Sequence, residues 1–228
     1  MREIVLDTET TGLDPLQGHR LVEIGAIELF NHLPTGKTYH TYINPNRDMP
    51  REAEAVHGLS GQFLKDKPVF SKIVDAFLEF IGNTTLIIHN ASFDVGFLNA
   101  ELGFVKAPAI HFDRVVDTLA LAKKRHPMGP NSLDALCKRY GIDISKRTKH
   151  GALVDSELLA EVYLELLGGR QMAMTLPKAE NIRQLQVSTT TINLTRPHIL
   201  PVRLTAEEMR AHENMVTDLG PAALWNNS

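Results

Sequence analysis

Near its start the chain reads Ile4-Val5-Leu6-Asp7-Thr8-Glu9-Thr10-Thr11-Gly12, three apolar residues followed by polar and small ones. This pattern predicts a β-strand that enters a loop. Side chains two residues apart in a strand point to the same side, so Asp7 and Glu9 are predicted to face one way. Two carboxylates held side by side are costly without a cation, and the stretch therefore predicts part of a site for a hard divalent metal ion.

In two later segments an acidic residue also lies where an apolar run gives way to a loop or to the start of a helix. One is His89-Asn90-Ala91-Ser92-Phe93-Asp94, which follows an apolar run, and the other is His150-Gly151-Ala152-Leu153-Val154-Asp155, which begins a helical pattern. Because α/β sheets bring such boundaries together, they are predicted to meet in one site for two Mg²⁺ or Mn²⁺ ions. Its carboxylate ligands are Asp7, Glu9, Asp94 and Asp155.

The histidine of the last segment has a different predicted role. An imidazole with an ordinary pKa of about 6.5 suits a general base near neutral pH, and His150 stands just ahead of Asp155. Each motif alone has a plainer explanation, since Asp-Thr-Glu is compatible with strand-end capping and Asp155 with an acid favoured at a helix N-terminus. The three motifs together favour a metal site.

Composition indicates a globular protein. The 228 residues are 43% hydrophobic, enough for one domain core and an appendage. No apolar run approaches the ~20 residues that span a bilayer, and Met1 leads almost directly into a strand, so we expect no membrane segment, no signal peptide and a cytoplasmic location. The single cysteine, Cys137, is expected to be a reduced core residue.

The net charge of −3 is not typical of a protein that coats nucleic acid. Between Lys123 and Lys149, however, eight basic residues stand against the two acids Asp134 and Asp143. This basic stretch predicts either a track for a phosphate backbone or an ordinary solvated surface. The basic residues are Lys123, Lys124, Arg125, Lys138, Arg139, Lys146, Arg147 and Lys149.

The hydrophobic pattern predicts the α/β class, with strands first and alternation with helices later. An antiparallel three-stranded meander is expected at the start, its last strand following the breaker Pro34-Thr35-Gly36. The five predicted strands are 4–6, 21–30, 39–43, 86–88 and 115–116. Five helices are predicted in this part of the chain. They cover 68–81, 93–102, 118–124, 133–140 and 153–167, and Ser132 is the predicted cap of the fourth.

After Gly169 the pattern changes, because residues 170–228 are rich in Thr, Asn, Pro and Gln and poor in periodic apolar positions. We therefore expect two parts, a domain at 1–170 and a flexible tail at 171–228. Within the tail, Thr205 to Leu219 is predicted to be helical, with Met209 and Met215 on one face.

The three acidic motifs resemble those of the DEDDh 3′→5′ exonucleases, in order and over roughly residues 3 to 170. Further matches are Val56-His57-Gly58-Leu59 and Leu133-Asp134-Ala135-Leu136-Cys137, which narrow the resemblance to members that proofread DNA as polymerase subunits. The resemblance implies an RNase H-like fold with a mixed five-stranded sheet flanked by helices. It also implies two-metal hydrolysis of mismatched or frayed DNA 3′ ends to nucleoside 5′-monophosphates, with His150 as the base.

The resemblance further implies a site for the terminal nucleotide, where unpaired bases stack without being read. For Phe93 plain core packing is an equal alternative, and for Leu13 exposure would favour binding. The implied substrate-binding residues are Asp7, Glu9, Thr10, Gly12, Leu13, His57, Asn90, Phe93, His150 and Asp155.

The tail resembles the docking segments of the same proteins. Gln171, Met174 and Leu176 are predicted to bind a sliding clamp, and Met209, Met215 and Trp225 the catalytic (alpha) subunit of a DNA polymerase. A small theta-like accessory subunit is a further implied partner. Two alternatives remain, a ribonuclease of the same family and a non-catalytic bridging subunit; the complete acid set weighs against the second.

Overall fold

The computed structural model describes residues 1–145, 147, 149–169 and 205–220. In these ranges the strands are β1 (Arg2–Thr10), β2 (Leu21–Phe30), β3 (Leu33–Tyr42), β4 (Thr85–Ile88) and β5 (Val115–Asp117). The α-helices are α1 (Arg51–His57), α2 (Gly61–Leu64), α3 (Phe70–Ile81), α4 (Ala91–Phe104), α5 (Thr118–Arg125), α6 (Leu133–Tyr140), α7 (Ala152–Leu167) and α8 (Ala206–Leu219). Two short 3₁₀ helices lie at Pro15–Gln17 and Phe112–Arg114.

The strands form one sheet in the order β3-β2-β1-β4-β5. β1, β2 and β3 make the predicted antiparallel meander, whereas β4 and β5 run parallel to β1. The chain thus has the predicted α/β class and the mixed five-stranded sheet flanked by helices.

Alternation along β1 determines which helices cover each side of the sheet. Ile4 and Leu6 belong to a core shared with α3 and α4. Val5 belongs to a core on the other side, built with α7. Asp7 and Glu9 follow Val5 at intervals of two and therefore lie on the α7 side; that they share one side is what their spacing predicted.

The hairpin between β2 and β3 differs from the prediction. β3 already begins at Leu33, so Pro34-Thr35-Gly36 lies inside the strand instead of breaking it. Asn31 and His32 make the turn, both with positive φ (52° and 66°), which fits a two-residue hairpin turn. A proline is tolerated in β3 because β3 is an edge strand.

Two further boundaries were predicted wrongly. β1 does not end at Leu6 but pairs as far as Thr10 with Leu21, so Asp7 and Glu9 lie well within the strand. α3 begins at Phe70 instead of Pro68, with Val69 as its N-cap. The short helices α1 and α2 were not predicted.

The remaining predicted helices were correct within a few residues. Ser132 caps α6 by accepting a hydrogen bond from the N–H of Ala135, and Gly141 ends the helix with φ 68°. Cys137 is fully buried, and burial raises the pKa of its thiol to about 11. Among the described residues, no helix has the length and apolarity needed to cross a membrane.

The chain divides into two units, Met1–Met174 and Thr175–Ser228. The second contributes α8, whose start is fixed by reciprocal hydrogen bonds between Thr205 and Glu208. Met209 and Met215 on this helix are 47% and 46% exposed. The predicted clamp-binding residues Gln171, Met174 and Leu176, and the predicted polymerase-binding residue Trp225, lie outside the described residues.

α7 approaches the backbone of β2 at Gly25 because this residue has no side chain. A Cβ there would lie 2.2 Å from the carbonyl carbon of Ala152 and the amide nitrogen of Leu153. Ser156 Oγ also donates a 2.9 Å hydrogen bond to the Gly25 carbonyl. Gly25 pairs with Asp7 in the sheet, so this contact fixes the start of α7 beside β1.

Gly25→Ala should therefore displace the start of α7 and destabilise the protein by about 1–3 kcal/mol, the usual cost of overpacking. Thermal unfolding measures the change. Gly103→Ala is the matched control, because a Cβ at this helical position meets nothing within 4 Å and should be neutral or slightly stabilising. Equal stability of the two variants would contradict the close contact.

Candidate active site

The acids of β1 and α4 meet because β4 pairs in parallel with only the first half of β1. The turn after β4 places Asn90 in the left-handed region, with φ 61°, and Asp94 falls in the first turn of the helix that follows. Thr8 Oγ1 donates a 2.7 Å hydrogen bond to Asp94 Oδ1. Asp94 is thereby fixed against the strand that carries Asp7 and Glu9.

The segment leading into α7 completes the cluster. Glu9, His150 and Asp155 each offer one possible ligand atom, and these atoms lie within 4.8 Å of one another. Asp7 and Asp94 are outside this group of three but line the same cleft, a cavity of about 510 Å³. The structure thus brings all five predicted residues around one cavity; we name it the acid cleft.

The carboxyl groups of the acid cleft disturb one another. Burial, followed by repulsion from Asp94 and Glu9, raises the pKa of Asp7 well above its usual value. Burial, followed by repulsion from Asp155, raises the pKa of Glu9 to about 8. Burial raises the pKa of Asp94 to about 7. A divalent cation would relieve this repulsion, so the oxygen-rich donor set fits a hard divalent ion.

Arg147 also reaches into the acid cleft. Its Nε lies 2.5 Å from Asp155 Oδ1, and its Nη2 lies 2.8 Å from Asp155 Oδ2. Its Nη1 contacts Asp134 in the first turn of α6. Arg147 was not among the predicted site residues, because nothing in the sequence separates it from the basic residues around it.

His150 lies at the mouth of the acid cleft, with its side chain 47% exposed. Its Nδ1 is 3.1 Å from Asp155 Oδ2 and 2.5 Å from Arg147 Nη2. Its backbone N–H donates a long hydrogen bond of 3.4 Å to the carbonyl of Val56, which connects this loop to α1. The imidazole is thus accessible to solvent and directed by a carboxylate.

The basic stretch is partly structural. Arg125 donates to the Leu166 carbonyl and Arg139 to the Pro130 carbonyl, each at 2.8 Å. Arg147 pairs with Asp155, so three of the eight basic residues of this stretch make contacts within the fold. These three are therefore not free to follow a phosphate backbone.

A second cavity of about 530 Å³ lies next to the acid cleft, and Glu9 and Phe93 line both. Leu13 is 85% exposed at this cavity. Phe93 is half-buried, with its ring 5.0 Å from that of Phe97, so it both packs on the core and faces the cavities. Of the predicted nucleotide-binding residues, this second cavity is lined by Thr10, Gly12, Leu13, His57 and Phe93, whereas Asn90 lines the acid cleft.

Two histidines shape the second cavity. Burial lowers the pKa of His57, whose Nδ1 accepts a 3.0 Å hydrogen bond from the N–H of Leu59. His19 was not predicted, yet its Nδ1 lies 3.2 Å from Thr11 Oγ1. A Cβ at Gly12 would lie 2.3 Å from the His19 ring, so a side chain here would displace that ring.

Comparison with known proteins identifies relatives along almost the whole chain. The Exonuclease family pattern matches residues 4–163. DNA polymerase III subunit epsilon of Rickettsia felis is 50% identical over 226 aligned positions, which cover 96% of this chain and 97% of that protein. The protein of the same name from Escherichia coli K12 is 44% identical, with 98% and 97% covered.

Solved structures show the same fold at lower identity. The nuclease domain of 3′hExo, a DEDDh family member bound to rAMP, has a TM-score of 0.62 at 17% identity and covers 73% of this chain and 91% of that domain. Exonuclease X in complex with 5′ overhanging duplex DNA has a TM-score of 0.57 at 23% identity, with 72% and 90% covered. The resemblance to DEDDh exonucleases is confirmed, and the chain belongs to the exonuclease family, among the epsilon subunits of DNA polymerase III.

Proposed function

We propose that the acid cleft is the active site of this 3′→5′ proofreading exonuclease. The observation that carries the proposal is the convergence of Asp7, Glu9, Asp94, His150 and Asp155, from distant segments, around one cavity. An intact acid set disfavours a non-catalytic bridging subunit. Relatives named as DNA polymerase subunits disfavour a free-standing ribonuclease.

The exonuclease depends on divalent metal ions, and we assign these as two Mg²⁺ or Mn²⁺ ions held by the four carboxylates. When bound, such ions would activate water and stabilise the leaving oxygen of a phosphodiester. With cations bound the carboxylates would be ionised, and the fold keeps them oriented. Thr8 orients Asp94, and the contact of α7 with Gly25 orients Asp155.

His150 is assigned as the general base. A proton on Nδ1, directed to Asp155 Oδ2 at 3.1 Å, would leave Nε2 to accept a proton from the attacking water once Arg147 Nη2, which can only donate, no longer points at Nδ1. Exposure of this side chain allows the proton to pass to solvent afterwards. This assignment needs no movement of the helix that carries Asp155.

The second cavity is assigned to the terminal nucleotide. Exposed Leu13 and the face of Phe93 provide apolar surfaces for an unpaired base, and the backbone from Thr10 to Gly12 lies beside them. Stacking of this kind tolerates any base, as removal of a misincorporated nucleotide requires. Because Glu9 and Phe93 line both cavities, a nucleotide there would have its phosphate next to the acids.

We assign residues 1–170 to the nuclease and 171–228 to a tail that binds partners in the cytoplasm. The names of the relatives support association with a DNA polymerase. Half-exposed Met209 and Met215 on α8 offer apolar anchors, and Trp225 is a third. Gln171, Met174 and Leu176 are assigned to a sliding clamp, and a theta-like subunit is a further proposed partner.

Asp7→Asn should abolish Mg²⁺-dependent digestion of 3′-mismatched DNA, because it removes a ligand and a charge. The wild-type chain should degrade mismatched DNA faster than matched DNA and leave RNA largely intact. Without divalent ions, the same variant should unfold at a higher temperature. Each recovered kilocalorie per mole corresponds to about 2–4 °C for a chain of this size.

The sign of this stability gain follows from the raised pKa of Asp7. Below its unfolded-state pKa the carboxyl is neutral in both states, so the variant gains little there. As pH rises, ionisation costs more in the folded protein, and the advantage of asparagine should grow. Undiminished digestion by the variant would refute the metal assignment, and a gain that shrinks with rising pH would refute the electrostatic explanation.

His150→Gln should retain Mn²⁺ binding but lower turnover by about 10²–10⁴, the usual contribution of a general base. Loss of the base should also change the pH dependence of the rate, so the pH profiles of the variant and of the wild type should differ. His111→Gln, at an exposed position, is the matched control. A variant with the wild-type pH profile would assign His150 a structural role.

Deletion of residues 177–228 should spare digestion of free single strands and abolish co-purification with the polymerase. The tail acts as a tether that raises the local concentration of nuclease to about the millimolar range.

Met209→Ala should weaken polymerase binding, while Asn214→Ala on the opposite face of α8 should not. Gln171→Ala with Met174→Ala should weaken clamp binding alone. A truncated chain that still binds the polymerase would contradict this division.

A further inference from the structure

Arg147 makes more contacts with the acid cleft than a solvated arginine would. Its side chain is only 7% exposed, and two of its nitrogens lie 2.5 and 2.8 Å from the two oxygens of Asp155. One of these nitrogens also lies 2.5 Å from His150 Nδ1. The guanidinium therefore holds the acid and the imidazole that stands beside it.

These contacts involve the oxygens that a divalent ion would use. Asp155 is 3% exposed, and Arg147 covers both of its carboxylate oxygens. A divalent ion binds carboxylate oxygens at about 2.0–2.2 Å and repels a guanidinium at the same oxygens. Metal binding and the complete Arg147–Asp155 pair therefore oppose each other.

In the Arg147–Asp155 pair, the contact at Asp155 Oδ1 is weaker than the contact at Oδ2. Although Arg147 Nε and Asp155 Oδ1 are 2.5 Å apart, they are not aligned as a hydrogen bond, unlike Nη2 and Oδ2. On its other side the guanidinium contacts Asp134, whose side chain is 58% exposed. Arg147 therefore keeps a carboxylate partner when Asp155 gives up an oxygen.

We infer that Arg147 is a positioning residue that competes with a divalent ion for Asp155 and so sets the metal affinity of the acid cleft. It compensates the acid charge until the ion binds, and keeps the Asp155 carboxylate in place meanwhile. The inference rests on the proposed metal site. In the proposed site four carboxylates bind the metal ions, and Arg147 lowers the affinity of that binding.

Arg147→Gln in the full chain should bind Mn²⁺ about tenfold more tightly, the scale of coupling between two sites that share a group. Arg147→Lys, which keeps the charge but not the two-pronged contact, should tighten binding about threefold. The control is Lys149→Gln, which removes a positive charge from an exposed position in the same loop. Its Kd should stay within about twofold of wild type, and calorimetric titration measures all four proteins.

Asp155→Asn separates failure of the inference from failure of the proposed site. If this variant binds Mn²⁺ as wild type does, the proposed metal site is wrong. If Asp155 is needed but Arg147→Gln binds equally or more weakly, the site stands and competition is overturned. Equal tightening by Lys149→Gln would also overturn it, because the effect would then be general charge. Should Arg147→Gln fail to fold, the Kd of Arg147→Lys decides between tightening and no change.

Discussion

Repulsion among carboxylates crowded into one cleft is the constraint on which the rest of this structure depends. Asp7 and Glu9 face the same side of β1, and the topology adds Asp94 and Asp155. Burial and mutual repulsion raise the pKa of Asp7 and of Glu9, so at neutral pH folding must either take up protons or hold these charges together, and both oppose folding. Only a fold that is stable elsewhere can hold such a cluster ready for a cation.

The stability comes from the sheet and from α7, which is fixed at both ends. At its start the backbone rests directly on Gly25, where Ser156 adds a hydrogen bond. Farther along, Tyr163 Oη donates a 2.8 Å hydrogen bond to buried Glu3 on β1. The helix that carries Asp155 is therefore positioned against the strand that carries the other acids.

Local patterns in the sequence predicted the parts of the site that depend on the side-chain period of a strand and on where strands and helices begin or end. The two-residue spacing of Asp7 and Glu9 determined their common side, and apolar runs located β4 and α7. The hairpin turn at Asn31 and His32 was missed because Pro34 is a stronger turn signal, although an edge strand tolerates it. α1 and α2 are too short for periodicity to identify them.

The contribution of Arg147 could not be predicted for a different reason. It is one of eight basic residues in its stretch, and only the folded loop directs its side chain inward to Asp155 and Asp134. Gly25 likewise matters through its close approach to a segment distant in sequence, the start of α7. Contacts of this kind form only in the tertiary structure, so local composition and residue spacing do not reveal them.

The most direct measurement is the anomalous scattering of Mn²⁺ in crystals of the full chain. The account predicts two peaks about 4 Å apart among the carboxylates of Asp7, Glu9, Asp94 and Asp155. Crystals that diffract well and contain saturating Mn²⁺, yet give no peak among these carboxylates, would contradict it.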